Sequence, residues 1–589
     1  MKALDVNSLF ARAEQHFAAG RPDAARGDLA QVQRLSGDHP AVLHLLALVE
    51  KKRGDLVAAR AAFERALRLA PRDQKILNNY ANLLDSMGKP ELALSQYDRA
   101  LAVDSGFRDA RLNRALLLQR LGRREEALAE LDRLAPAYAS SARFHSARGA
   151  VLRELGRLDD AAAAFDRALA LEPHRLLALH GRARVAIERG NDDASSWYRR
   201  ALAVKPDDTE LQLGLAEALE AEGSSGAVDC LAAAVERQAG WTEGQSALAR
   251  MRWEAGEGKA FARSFETALA ARPRDRDLWV AYAAALAGAD LHIEAADVAA
   301  RGRAAVGEDN RLVLLEAVHA SEAGDVGRGS TMFAMVSPEV PGRDAQYIRH
   351  LLRLGEYQQA ADVADRLRAA EPGDVGAWAL TGLIWRLLED PRRVWLHEQA
   401  GLVATRDLPL SAAEIEAVAQ RLRGLHRTRA HPIGQSLRGG TQTRGRLFQR
   451  SDPEIICLRR AIERAVADYW SALPPADPAH PLLRHRAAKL RFEGSWSVRL
   501  TDGGFHVAHV HPNGLLSSAC YLAVPDVPGQ EGWLQIGAAP GSLDLPLSAM
   551  RLVEPRPGRL ALFPSTLYHG TLPFGAGERL TAAFDLVAE

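Results

Sequence analysis

Four histidines crowd the C-terminal part of this 589-residue chain. His506, His509 and His511 lie in FHVAHVHPNG, and His569 lies in LFPSTLYHGT. Imidazole is the commonest metal ligand among side chains, and a divalent ion needs several such nitrogens aimed at one point. If FHVAHVH is a strand, its period of two puts Phe505, Val507, His509 and His511 on one face and His506 on the other. His509 and His511 can then converge, while His506 is expected to point away. His569 would join from a second segment, 58 residues beyond His511, and Arg579 follows ten residues later. Three clustered histidines with a fourth at a distance make a metal site the favoured reading. Tyr521 reads as a core aromatic whose hydroxyl could reach a ligand. Trp496, Arg499 and Asn513 could line a channel, although packing and turn roles fit them equally; Asn513-Gly514 is a good turn pair in its own right.

The elements around these residues read as β-structure. KLRFEGSWSVRL, SSACYLAVP, GWLQIG, RLALFPS and RLTAAFDLV alternate apolar and polar residues between Gly/Pro turns, as short strands of a sandwich or barrel do. Before them the pattern is helical. A helix is expected over Ala412–Leu425, and another over Pro453–Leu473 with Ile456, Leu458, Ile462, Val466 and Tyr469 on one side. Between them, HPIGQSLRGGTQTRGRLF reads as irregular.

The first two-thirds of the chain is periodic. Gly20, Gly54, Gly88, Gly122, Gly156 and Gly190 are spaced by 34 residues. Ala25, Ala59, Ala93, Ala127 and Ala161 keep the same phase, as do the large residues Phe63, Tyr97, Leu131 and Phe165. Glycine permits the turn that ends a first helix, alanine lets the second approach closely, and a large residue fills the gap between pairs. After Gly190 the pattern slips by one residue (Tyr198, Pro206), and Gly256, Phe265, Ala268 and Pro273 restore it. Residues 275–340 are Ala-rich and expected to be helical. A unit of this kind resembles the tetratricopeptide repeat over roughly residues 4–390. The resemblance implies ten or eleven helical pairs stacked in a right-handed superhelix that binds a protein or peptide. A spacer or self-association role is the alternative for that array.

The C-terminal motifs His509-Val510-His511, His569 and Arg579-Leu580-Thr581 resemble the 2-oxoglutarate/Fe(II) dioxygenases, distantly those of the prolyl-hydroxylase kind. GSWSVRL, HPNG, PGRLALFPSTLYHGT and ERLTAAFDL resemble bacterial members that trail tetratricopeptide repeats. The resemblance implies a double-stranded β-helix (jelly roll) binding Fe(II), 2-oxoglutarate and O2. It makes His509, His511 and His569 the metal ligands and catalytic residues, and Arg579, Thr581 and Tyr521 the co-substrate contacts. His511 stands where the family usually has a carboxylate. Three alternatives follow: His511 itself ligates, Asp502 or Asp585 supplies a carboxylate, or His511 sits behind a two-histidine site.

The implied organisation is a solenoid over 1–390, a helical lead-in over 391–440 and an oxygenase-like jelly roll over 441–589. Lys+Arg and Asp+Glu balance at 75 each, which argues against a nucleic-acid binder driven by phosphate neutralisation. Cys230, Cys457 and Cys520 are too scattered for a disulfide framework or a Cys-based zinc site. No secretory h-region or membrane-length apolar run is seen, so a cytoplasmic protein is expected. The competing readings of function are an interaction scaffold with a silent metal-binding jelly roll, or a three-histidine dioxygenase that does not use 2-oxoglutarate.

Overall fold

The computed structural model describes residues 6–444 and 446–589. The first five residues of the MKALDVNSLF start and Gly445 of the TRGRLF stretch lie outside the described residues. The chain forms two compact units, Met1–Val185 and Ala186–Glu589.

The first unit consists of paired antiparallel helices, from Val6–Ala18 through Leu158–Leu171. Gly20, Gly54, Gly88, Gly122 and Gly156 all have φ between 70° and 88°. A side chain there would strain the backbone, which explains the strict spacing. Ala25, Ala59, Ala93, Ala127 and Ala161 are fully buried, and Phe63, Tyr97, Leu131 and Phe165 are buried with them. Neighbouring repeats are also joined by polar rungs one repeat apart: Asn79 to His44 (2.8 Å), Asn113 to Asn78 (3.1 Å) and Gln119 to Glu154 (2.8 Å).

The second unit continues the repeats to the helix Val375–Leu387, so that 23 α-helices precede the first strand among the described residues. The phase slip after Gly190 is real: the next left-handed glycines are Gly223 and Gly256, two intervals of 33 residues. The helix Ala194–Val204 accordingly has 11 residues, against 14 for Leu56–Leu69.

Nine strands follow: β1 (Ala404–Asp407), β2 (Leu437–Gln442), β3 (Leu490–His506), β4 (Leu516–Ala523), β5 (Leu534–Ile536), β6 (Arg551–Val553), β7 (Arg559–Pro564), β8 (His569–Thr571) and β9 (Glu578–Ala588). They make a six-stranded sheet, β1-β7-β4-β9-β3-β2, and a three-stranded sheet, β6-β5-β8, with every pairing antiparallel. Both sheets contribute to one core around Tyr521, Leu534, Ile536, Val553 and Phe563, the two-layer arrangement that a jelly roll requires. The other face of the large sheet, including Leu560, Leu562, Leu580, Phe584 and Leu586, packs on the helices Ala412–Arg423 and Pro453–Ala472.

Two expectations are corrected here. Ile455, not Ile456, is buried on the second of these helices; Ile456 is 37% exposed. The stretch expected to be irregular contains β2, because Gly439 and Gly440 let it approach β3 where a side chain would strike Gly504 or Arg499 backbone atoms. β1 joins the sheet from within the segment 391–440.

Candidate metal and anion site

β3 ends at His506, and His509 is held by a separate two-bond bridge to β8. The His509 N–H donates to the His569 carbonyl and the His569 N–H to the His509 carbonyl, each at 3.0 Å. This bridge brings the two distant histidines together, with ring centroids 4.3 Å apart. His511 lies 5.0 Å from His509 and 4.9 Å from His569 by the same measure. Ligand atoms of the three rings all fall within 4.8 Å of one another.

The ring nitrogens are sorted by their neighbours. Nδ1 of His509 bonds the Val507 carbonyl (2.9 Å), Nδ1 of His569 the Leu567 carbonyl (3.1 Å), and Nδ1 of His511 the Asp585 carboxylate (2.5 Å). Each Nδ1 therefore carries the proton, and each Nε2 keeps a lone pair. Nε2 of His509 and Nε2 of His511 are 3.1 Å apart. Two nitrogens at right angles on one ion, with bonds of about 2.1 Å, would be about 3.0 Å apart. The donor set therefore fits a metal ion. Enclosure by the protein, and then His511, hold His509 down at about 3; enclosure, and then His509, hold His569 well below the ordinary histidine range. Both rings are thus neutral at pH 7, as ligation requires.

β9 carries the second half of the site. Its period of two sends Leu580, Ala582, Phe584 and Leu586 to the helices, and Arg579, Thr581, Ala583 and Asp585 to the other face. Arg579 is only 2% exposed, its Nε has no hydrogen-bond partner among the described residues, and its guanidinium lies 5.0 Å from the centre of the Tyr521 ring. The buried Tyr521 hydroxyl is likewise unpartnered, and burial raises its pKa so that it stays protonated. A buried guanidinium without a counter-ion is costly and marks where an anion belongs. Arg579 and Thr581 share a small cavity with His509, His511 and His569.

The structure thus gathers His509, His511, His569, Arg579, Thr581 and Tyr521. His506 does not point away: the strand ends before the parity rule can act. Its Nδ1 shares the Ser436 hydroxyl (3.0 Å) with Nε2 of His509 (3.1 Å), and it lines the same cavity. Asp502 lies within β3, where it accepts from the Gly577 N–H, and Arg499 pairs with Glu578; neither lines the cavity. Trp496 and Asn513 do line the approach to the histidines. Ser436, Gln435 and Gln442 also line it and were missed, because they come from the stretch whose pattern reads as irregular.

Comparison with known proteins agrees with both halves. The family model described as "Putative 2OG-Fe(II) oxygenase" matches residues 494–585. Tetratricopeptide-repeat models match residues 10–74, 86–151, 142–175 and 348–391. A curated relative, cellulose synthase 2 operon protein C of Komagataeibacter xylinus, is 41% identical over 78 residues, 12% of this chain and 6% of the relative. Among solved structures, a tetratricopeptide repeat protein from Parabacteroides merdae is 19% identical (41% of this chain, 97% of that one, TM-score 0.34). The type IV pilus biogenesis factor PilW is 21% identical (35% and 96%, TM-score 0.33). No helix among the described residues is long and apolar enough to cross a membrane. The chain therefore carries tetratricopeptide repeats followed, at residues 494–585, by a domain of the family described as "Putative 2OG-Fe(II) oxygenase".

Proposed function

We propose that the protein is an Fe(II)- and 2-oxoglutarate-dependent dioxygenase, a hydroxylase, whose repeat array recruits a protein or peptide substrate. On this reading residues 1–390 are the array, 391–440 the lead-in and 441–589 the oxygenase. His509, His511 and His569 hold Fe(II) through Nε2. Arg579 takes the distal carboxylate of 2-oxoglutarate, with the Thr581 and Tyr521 hydroxyls beside it. Fe(II) with 2-oxoglutarate and O2 supplies the oxidising power for hydroxylating a C–H bond. The chain's own residues orient and shield: carbonyls and a carboxylate fix the three rings, and Phe563 packs 4.7 Å from His569.

The observation that carries this reading is Arg579, buried without a counter-ion among the described residues in the cavity that the three imidazoles share. His511 accounts for the missing carboxylate. Asp585 stands behind it and accepts from Nδ1–H, which fixes the tautomer and leaves Nε2 as the ligand atom. The test is succinate release by the purified chain with Fe(II), 2-oxoglutarate and ascorbate. The expected result is release well above that of His569→Ala; none above that control sinks the reading. A three-histidine oxygenase without 2-oxoglutarate is favoured by one observation, the absence of a carboxylate from the ligand cluster among the described residues. It predicts turnover that does not change with Arg579→Ala. A silent scaffold predicts metal binding and no succinate.

A further inference from the structure

At ten turns between paired helices, from Gly20 to Gly355, the left-handed position is glycine. Two positions of that column break the rule: Asp290 (φ 61°) and Glu389 (φ 53°). Asp290 makes the same turn as its glycine counterparts. Its N–H donates to the Ala287 carbonyl and the Leu291 N–H to the Leu286 carbonyl, both at 3.0 Å, as Gly156 and Arg157 do one helix pair after another. Glycine would make this turn with less strain, so the aspartate is not there for the backbone. A strained residue held in place by its surroundings points to a role for its side chain.

That side chain grips Arg438. The two carboxylate oxygens accept from Nε (2.8 Å) and from a terminal nitrogen (2.7 Å) of the guanidinium. Asp290 and Arg438 form part of the wall of a second, open cavity of 620 Å³, distinct from the small one around Arg579. The two cavities meet over His509 and His511, the small one leading to Arg579 and the large one to solvent. The charged side chains of the large cavity are bonded in place: Asp290 to Arg438, and Asp585 to the Nδ1–H of His511. The remaining polar side chains that line it are neutral amides and a hydroxyl. The side-chain amides of Gln435, Gln442 and Asn513 line it and have no hydrogen-bond partner among the described residues. Each offers one donor group and one acceptor, the complement of a peptide unit.

We propose that this cleft takes an uncharged polypeptide segment, and that Asp290, contributed by the repeat array, is the specificity-determining residue that keeps it so. It rests on the reading of His509, His511 and His569 as the oxygenase centre. An acidic segment finds no free guanidinium, because Asp290 occupies Arg438; a basic one finds both Asp290 oxygens taken by Arg438 and Asp585 bonded to His511. Removing Asp290 leaves the Arg438 guanidinium bonded only to the Gln435 and Leu437 carbonyls (2.6 and 2.8 Å), with its charge open to the cleft.

The test uses the full chain and three pools of fluorescein-labelled 12-residue peptides of neutral, acidic and basic composition, read by polarisation. The parent is expected to bind the neutral pool at least about tenfold tighter than either charged pool. Asp290→Gly restores the residue that the column otherwise uses, so it should fold at least as well, and unchanged melting checks this. It is expected to bring the acidic pool to the affinity of the neutral one. Asp290→Asn should shift the ranking the same way, and Glu389→Gly should rank the pools like the parent. A charged pool bound tightest by the parent, an unchanged ranking in Asp290→Gly, or no pool bound overturns the proposal. Mn(II) binding to the parent and to His569→Ala, followed by electron paramagnetic resonance, is a separate readout. Its failure sinks the oxygenase reading, while the pool ranking stands or falls by itself.

Discussion

The repeats before residue 186 and those after it are built from one pattern, yet they treat it differently. In the first unit the interval is 34 residues from Gly20 to Gly156, and apolar side chains and polar rungs are satisfied within the repeats. In the second, the interval drops to 33 twice and glycine gives way to Asp290 and Glu389. There the repeats also hold other parts of the chain. Arg353 donates to the Ser542 carbonyl (2.9 Å), Trp253 to the His431 carbonyl (2.8 Å), and the Gly434 N–H donates to the Gly288 carbonyl (2.9 Å). Val510, between two of the site histidines, and Tyr568, beside the third, share a core with Ile348, Leu351, Leu380 and Ile384. Repeats that need only stack keep the period; repeats that also build a neighbouring site are free to lose it.

The largest effect expected from this difference concerns independence. Residues 1–173 alone should melt cooperatively as a helical protein. Residues 191–390 alone should not, because their last repeats lose Leu543, Tyr568 and Val510 from their core. Circular dichroism melting decides it, and a cooperative melt of the second fragment would break the comparison. Next come matched core truncations. Phe63→Ala and Ile348→Ala should each cost about 2–5 kcal/mol. Only Ile348→Ala should weaken metal binding, by about tenfold or more, since it loosens the packing behind His509, His511 and His569. Equal metal affinity in the two variants would show that the shared core does not position the site.

Acid should also separate the units. Burial holds His397 at about 3 and His319 and His426 at about 4 in the second unit. These folded-state values lie below the unfolded one of about 6.5. Between pH 6.5 and 4 the unfolded chain therefore takes up protons that the folded chain refuses. Stability is then lost as pH falls, by about 1.4 kcal/mol per pH unit for each histidine. Glu322 does not titrate in that window: burial would raise it, but Arg349 and Arg353 outweigh burial and hold it at about 2. The first unit has His44 shifted the same way, by burial. All ten tryptophans lie beyond residue 185, so tryptophan fluorescence in urea reports the second unit alone. A midpoint that does not fall between pH 6.5 and 4.5 would count against neutral burial of these histidines.

Much of this architecture was legible in the sequence because it repeats or alternates. The glycine column and the β9 alternation that puts Arg579 and Thr581 on one face follow from period, and the grouping of His509 with His569 is what the resemblance to the 2-oxoglutarate/Fe(II) dioxygenases implies. What was hidden depends on where regularity stops. The parity argument for His506 failed because β3 ends at that residue, and no periodicity marks the end of a strand. β2 was hidden because its two glycines, needed for close approach to β3, read locally as turn residues. Asp585 as the partner of His511 pairs residues 74 apart, which spacing alone does not reveal. Asp290 lay in plain view as an exception to the column, but its meaning depends on Arg438, 148 residues away.

The smallest effect tests the column itself. Gly122 has φ 77° with open space where a Cβ would go, so Gly122→Ala changes backbone strain and little else. It should destabilise the first unit by about 1 kcal/mol. Glu389 has φ 53° and an exposed side chain, so Glu389→Gly removes the same strain in reverse. The gain should be smaller, about 0.5 kcal/mol, because glycine also loosens the unfolded chain. Thermal melts of both variants read the pair. If Glu389→Gly instead destabilised the second unit, Glu389 would have a side-chain role as Asp290 does, and the loss of glycine from the later repeats would mark working residues at both positions.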